Sequence, residues 1–263
     1  MDINLTNKNA IVCGASKGIG HAIAIELARL GAQLTLLARN EDSLKEAVEE
    51  LDTSAKQVHD FIAVDFSKSS VLKNTIRTHL ENTGIAYHIL INNTGGPPPG
   101  PINEATEEQF LSAMTSHLLG NHILATALIP GMQKENYGRI INVISTSVKI
   151  PIAGLGVSNT TRGAVASWAK TMANELSEHG ITVNNILPGM TMTERLQELI
   201  ELKAKKADVT FDEMTRKMQD EIPMKRFARP QEIAAAAGFL ASPAASYISG
   251  INVPVDGGRT GCL

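Results

Sequence analysis

Two groups of residues in this chain have types and spacing suited to chemistry: a glycine-rich turn, and a polar set made of His117, Ser145, Ser158 and Arg162. The turn reads Cys13-Gly14-Ala15-Ser16-Lys17-Gly18-Ile19-Gly20 and joins a short apolar run to a stretch of helical period. Glycines at such a junction let backbone N–H groups and the positive end of a helix approach a pyrophosphate closely. Ser158 and Arg162 stand four residues apart, so on a helix they share one face. Arg162 is a rich hydrogen-bond donor that stays charged and is no acid at neutral pH. Ser158 is a weak candidate for direct proton donation. His117 has a suitable intrinsic pKa, although a hydrogen-bonded helix histidine without a catalytic role accounts for it equally simply.

The elements that must position these residues alternate. Short apolar runs at Ala10–Cys13, Gln33–Ala38, Asp60–Val64, His88–Ile91, Arg139–Ile144, Thr182–Leu187 and Ile251–Val255 read as strands, and stretches of helical period fill most of the gaps. That alternation predicts a parallel sheet with helices on both faces, a doubly wound α/β fold of Rossmann type. At 263 residues with 43% hydrophobic content, the chain is expected to form one domain spanning 1–263. Ligands of such folds sit beyond the carboxyl ends of the strands, so the loops after those strands are where function belongs. The segment 192–225 mixes Leu196, Leu199, Ile200 and Leu202 with Lys203, Lys205 and Lys206. It suits an amphipathic surface helix pair, and its place after a strand's carboxyl end favours a flap over the site.

Composition narrows the partners. The net charge is −3, with no run of five or six like charges, which argues against a nucleic-acid footprint or a membrane-surface helix. No eighteen-residue apolar stretch occurs, and Met1 to Lys8 lacks the apolar core of a signal peptide. With Cys13 and Cys262 the only cysteines, a reducing, cytoplasmic setting without disulfides is expected, Cys13 being a small buried filler. A small-molecule ligand is expected, and no metal site.

Gly14-x-x-x-Gly18-x-Gly20 resembles the glycine motif of the short-chain dehydrogenase/reductase family, and the resemblance runs through nearly the whole chain. Asp65 matches the family residue that meets the adenine. Asn92-Asn93-Thr94-Gly95 resembles its Asn-Asn-Ala-Gly element, and Asn142-Val143-Ile144-Ser145 resembles the segment that ends in the catalytic serine. Pro188-Gly189, with Thr191 and Thr193, is similar to the stretch that holds the nicotinamide carboxamide. The C-terminal part from Pro223 to Gly258 also follows the family pattern. The resemblance thus implies a nicotinamide site formed by Gly14, Ser16, Lys17, Gly18, Ile19, Gly20, Asp65, Asn92, Gly95, Pro188, Gly189, Thr191 and Thr193. It also implies a homotetramer or homodimer, and a function near that of 3-oxoacyl-carrier-protein reductases.

The departures lie in the acid–base residues. Where the family has a proton-transferring tyrosine and, four residues later, a lysine, this chain has Ser158 and Arg162; where it has a helix asparagine, this chain has His117. Tyr87, Tyr137 and Tyr247 fall elsewhere. Arg162 is expected to replace the lysine on the nicotinamide ribose. After the second strand, Ala38 and Arg39 stand where an acidic residue would select a ribose 2′-hydroxyl. With Lys17 they point to a 2′-phosphate and hence to NADP(H). Val148, Ile150, Pro151, Ile152, Leu155 and Val157 suggest an apolar wall for a carbonyl or alcohol substrate. The expectation is an NADP(H)-dependent oxidoreductase with an atypical site; the alternatives are a catalytically silent NADP(H)-binding sensor or partner-binding protein, or a lyase on the same fold.

Overall fold

The computed structural model describes residues 1–262. Seven parallel strands form one sheet: β1 (Asn9–Cys13), β2 (Gln33–Ala38), β3 (Asp60–Ala63), β4 (Ile89–Asn92), β5 (Gly138–Val143), β6 (Ile181–Pro188) and β7 (Asn252–Val255). Each strand end lies within one residue of its place in the sequence reading. The order is β3-β2-β1-β4-β5-β6-β7. After β3 the chain therefore crosses to the far side of β1, leaving a crevice at the carboxyl ends of β1 and β4.

The helices are α1 (Gly18–Arg29), α2 (Glu41–Glu49), α3 (Ser69–Thr83), α4 (Glu107–Met114), α5 (Gly120–Lys134), α6 (Gly156–Leu176), α7 (Glu194–Ala207), α8 (Phe211–Asp220) and α9 (Pro230–Ala241). Successive strand side chains alternate between faces, and here both faces are apolar. Val12, Leu36 and Ile141 pack with Ile23 and Leu27 of α1, Leu44 of α2 and Ile233 of α9. Their neighbours Ile11, Leu37 and Ile140 pack with Leu72 of α3, Leu128 of α5 and Met172 of α6 on the opposite face. Helices α7 and α8 occupy the 192–225 segment around a small core of their own, with Leu196, Ile200, Met214, Met218 and Phe227. Leu199 and Leu202 face outward. Among the described residues no helix is long and apolar enough to cross a membrane.

A row of side-chain amides crosses the sheet near its carboxyl edge. Asn92 Nδ2 donates to Asn142 Oδ1, Asn142 Nδ2 to Asn185 Oδ1, and Asn185 Nδ2 to Asn252 Oδ1, each at 2.8 Å. These residues are register partners on β4, β5, β6 and β7. A one-residue slip of any strand would break the row, so it selects register as well as contributing stability. Asn142→Leu is expected to leave Asn92 Nδ2 and Asn185 Oδ1 unpaired, at about 1–3 kcal/mol for each. Urea unfolding should show a lower midpoint with an unchanged slope, whereas an unmoved midpoint would show that the row is energetically idle.

Candidate active site at the carboxyl edge

The glycine turn closes tightly over the crevice. Gly14 has φ +57°, and a Cβ there would lie 2.3 Å from the Asn93 carbonyl oxygen; one on Gly20 would lie 2.2 Å from the Gly14 oxygen. Neither position admits another residue without a shift of the backbone. Asn93 Nδ2 donates to the Cys13 and Gly14 carbonyls, both at 3.3 Å, and joins the loops after β1 and β4. Lys17, which precedes α1, gives it no side-chain cap, so the first-turn N–H groups of the helix remain available to an anion. A pyrophosphate fits that cradle. Ser16, Gly18 and Ile19 are partly exposed around it.

The other expected cofactor contacts line the same edge. Arg39 is exposed, one residue before Asn40, which caps α2. Lys17, also exposed, is not free: its Nζ lies 2.6 Å from Glu194 Oε2 at the start of α7. Asp65 accepts hydrogen bonds from the Ser67 main chain at 2.9 Å and from its hydroxyl at 2.8 Å. The main-chain bond is the largest cause holding its carboxyl below the ordinary range. Pro188 ends β6; Thr191 is buried with its hydroxyl on the Gly189 carbonyl, and Thr193 caps α7. Asn92 is held in the amide row, and Gly95 is open to solvent.

At the centre of the edge lies a buried cation. Arg162 reaches from the second turn of α6 and donates to the Val143 carbonyl at 3.2 Å, at the end of β5, and to the Thr94 carbonyl at 3.3 Å, just beyond β4. Burial, reinforced by Arg195, pulls its pKa down to about 10, which leaves it charged at neutral pH. Ser158, half-buried, precedes it by one turn. Ser145 caps the turn after β5 and accepts from the Ser147 main chain at 3.0 Å.

His117 sits in a π-helical turn, Thr115–Leu119, between α4 and α5. Such a turn inserts one residue and re-aims the side chains around it. The imidazole is buried and shares a short hydrogen bond between Nδ1 and the Thr94 hydroxyl. Burial first, then the Arg162 and Arg195 charges, drive its pKa down to about 3. That direction runs opposite to what an acid poised near neutrality needs and favours the neutral imidazole at pH 7. A cavity of about 420 Å³ adjoins it, bordered by Gly95, Gly96, Pro97, Pro98 and Ser116.

No tyrosine reaches this region. Tyr87 bonds Thr35 at 2.6 Å, Tyr137 donates to the Ala241 carbonyl at 2.7 Å, and Tyr247 is fully exposed. Two residues at the site went unread in the sequence, Thr94 as the partner of His117 and Arg195 as a second cation beside it. Thr94 was visible as the departure from alanine in the Asn-Asn-Ala-Gly element. Arg195 carried a weaker signal, a cation in the first turn of a helix, where the dipole disfavours it. Among the described residues no cluster of His, Cys, Asp and Glu could hold a metal.

His117 gives the folded state a definite pH dependence. Its pKa is about 3 when folded, against 6.5 for the free side chain, so between those values the unfolded chain binds a proton that the native one refuses. Stability should therefore fall as pH drops from 6.5, with a slope contribution of up to about 1.4 kcal/mol per pH unit. His117→Asn should flatten that acid limb in urea midpoints taken between pH 4 and 7. An identical limb in the variant would place the titration elsewhere.

Comparison with known proteins agrees with this fold. Residues 14–260 match the family described as enoyl-(acyl carrier protein) reductase. The NADPH-dependent reductase BacG of Bacillus subtilis is 30% identical over 97% of this chain and 98% of its own. A 3-oxoacyl-[acyl-carrier-protein] reductase of Vibrio cholerae is 32% identical over 97% and 98%. The crystal structure of L-sorbose reductase from Gluconobacter frateurii, complexed with NADPH and L-sorbose, superposes with a TM-score of 0.94 at 32% identity over the whole of both chains. With its parallel sheet, glycine cradle and carboxyl-edge site, the chain belongs to the short-chain dehydrogenase/reductase family of oxidoreductases.

Proposed function

We propose that this protein is an NADP(H)-dependent oxidoreductase that reduces a carbonyl group, or oxidises the matching alcohol, without a tyrosine acid. The observation that carries the reading is the glycine cradle at Gly14 and Gly20 opening onto an uncapped helix, with Arg39 at the end of the neighbouring strand. NADPH-dependent relatives support it. The nicotinamide supplies the hydride when bound. The chain's residues supply the rest: Ser145 orients the substrate oxygen, and Arg162 holds the ribose and sets a positive field where an alkoxide would form. Ser158 and Thr94 hold hydroxyl protons near that point, and His117, being neutral, can relay a proton but cannot start the transfer as an imidazolium. The pair α7–α8 acts as a flap on a single domain. A cytoplasmic location and a homo-oligomeric state belong to the same reading.

The neutral state of His117 and the absence of a tyrosine also favour one rival, a silent NADP(H)-binding sensor. Steady-state NADPH oxidation over a panel of ketones, aldehydes and diketones separates the two. Turnover of any member supports the oxidoreductase, whereas tight NADPH binding without turnover across the panel supports the sensor.

Cofactor choice has its own test. Arg39→Ala should weaken NADPH binding by about 1.5–3 kcal/mol, roughly ten- to a hundredfold, and leave NADH binding unchanged. Lys17→Ala should do less, because Glu194 already pairs with that ammonium. Fluorescence titration of both cofactors reads the difference; equal losses for NADH and NADPH would remove Arg39 from the 2′-phosphate.

A further inference from the structure

Arg195 lies next to Glu194 in the first turn of α7, but the two side chains serve different places. Glu194 pairs with Lys17 of the glycine turn. The Arg195 guanidinium instead spans the loop after β4, with Nη1 3.5 Å from the Gly96 carbonyl and Nη2 3.5 Å from that of Pro97. A Cβ on Gly96 would stand 3.1 Å from both guanidinium nitrogens, so this glycine makes room for the arginine.

The charges around it are unbalanced. Arg195 is close enough to Arg162 and His117 to disfavour a proton on each. It also sits at the positive end of its own helix. No carboxylate forms an ion pair with Arg195 or Arg162 among the described residues, and Glu108, on the rim of the adjoining cavity, bonds Thr106 instead. Cations gathered at one cleft without a counter-charge raise the local potential until an anion enters. The two long carbonyl contacts are weak enough for such an anion to replace them.

We propose that Arg195 recognises a carboxylate carried by the substrate, which makes the substrate a small carbonyl compound with an acidic group. The inference rests on the hydride-transfer reading for the rest of the site. A substrate anion is favoured over the cofactor's pyrophosphate because Arg195 is turned toward Gly96 and Pro97, which border the cavity at His117, and away from the cradle where Lys17 and Glu194 meet. Arg195 is thus a specificity residue.

The test compares two ketones of similar shape, phenylglyoxylate and the neutral 1-phenyl-1,2-propanedione, with NADPH and the full chain. In Arg195→Gln the ratio of kcat/KM for the acid over the diketone should fall by roughly tenfold or more, and Arg195→Lys should retain part of it. NADPH affinity should stay within about twofold in both variants. An unmoved ratio overturns the proposal. Parallel loss of NADPH affinity and of activity on both ketones also overturns it, assigning Arg195 to the pyrophosphate. Quenching of bound NADPH fluorescence by phenylglyoxylate separates this inference from the parent reading. Arg195-dependent binding without reduction would sustain the anion site and refute hydride transfer to this class, and no binding at all would overturn the anion site.

Discussion

Taking a guanidinium out of water costs free energy that only hydrogen bonds and the surrounding field can offset, and Arg162 meets this cost at the carboxyl edge without a carboxylate. Its partners are two main-chain carbonyls, Val143 at the end of β5 and Thr94 just beyond β4. A carboxylate would neutralise the charge where it sits; carbonyls leave it to act on its neighbours. Burial first, then this unneutralised cation and Arg195, lowers the pKa of His117, whose Nδ1 bonds the Thr94 hydroxyl.

The sheet makes such an arrangement durable. Val143 and Thr94 belong to segments that follow paired residues of the amide row, so the spacing of the two carbonyls is set by the Asn92 to Asn142 pairing beneath them. On the next strand pair, Asn93 ties the loop after β4 to the turn after β1. The cofactor cradle and the charged site thus share one framework, in which a displacement of β4 would disturb both. Function in this fold depends on which side chains that framework holds, and here it holds Arg162, Ser158 and His117 at the carboxyl edge.

Much of this was legible in the chain itself because the signals were local. Strand positions follow from short apolar runs buried on both faces, and the glycine turn follows from backbone geometry that only glycine satisfies at Gly14 and Gly20. Ser158 and Arg162 stood out only against the family pattern that the chain resembles, in which tyrosine and lysine hold those places. What escaped was non-local. The π-turn that holds His117 between α4 and α5 meets α6 from far along the chain, the lowered pKa depends on burial beside two arginines distant in sequence, and the Lys17 to Glu194 pair joins residues 177 positions apart. No periodicity or motif encodes such encounters. The 192–225 segment reads as an amphipathic helix pair from its sequence, but that Arg195 turns toward Gly96 and Pro97 is visible only in the fold.

In the proposed reaction the Arg162 charge stabilises the oxygen to which hydride transfer gives a negative charge. Single-turnover oxidation of enzyme-bound NADPH by a ketone, at saturating cofactor, compares wild type with Arg162→Gln while removing any effect on cofactor affinity. The rate should fall by roughly a hundredfold or more, and an unchanged single-turnover rate would contradict that role for Arg162.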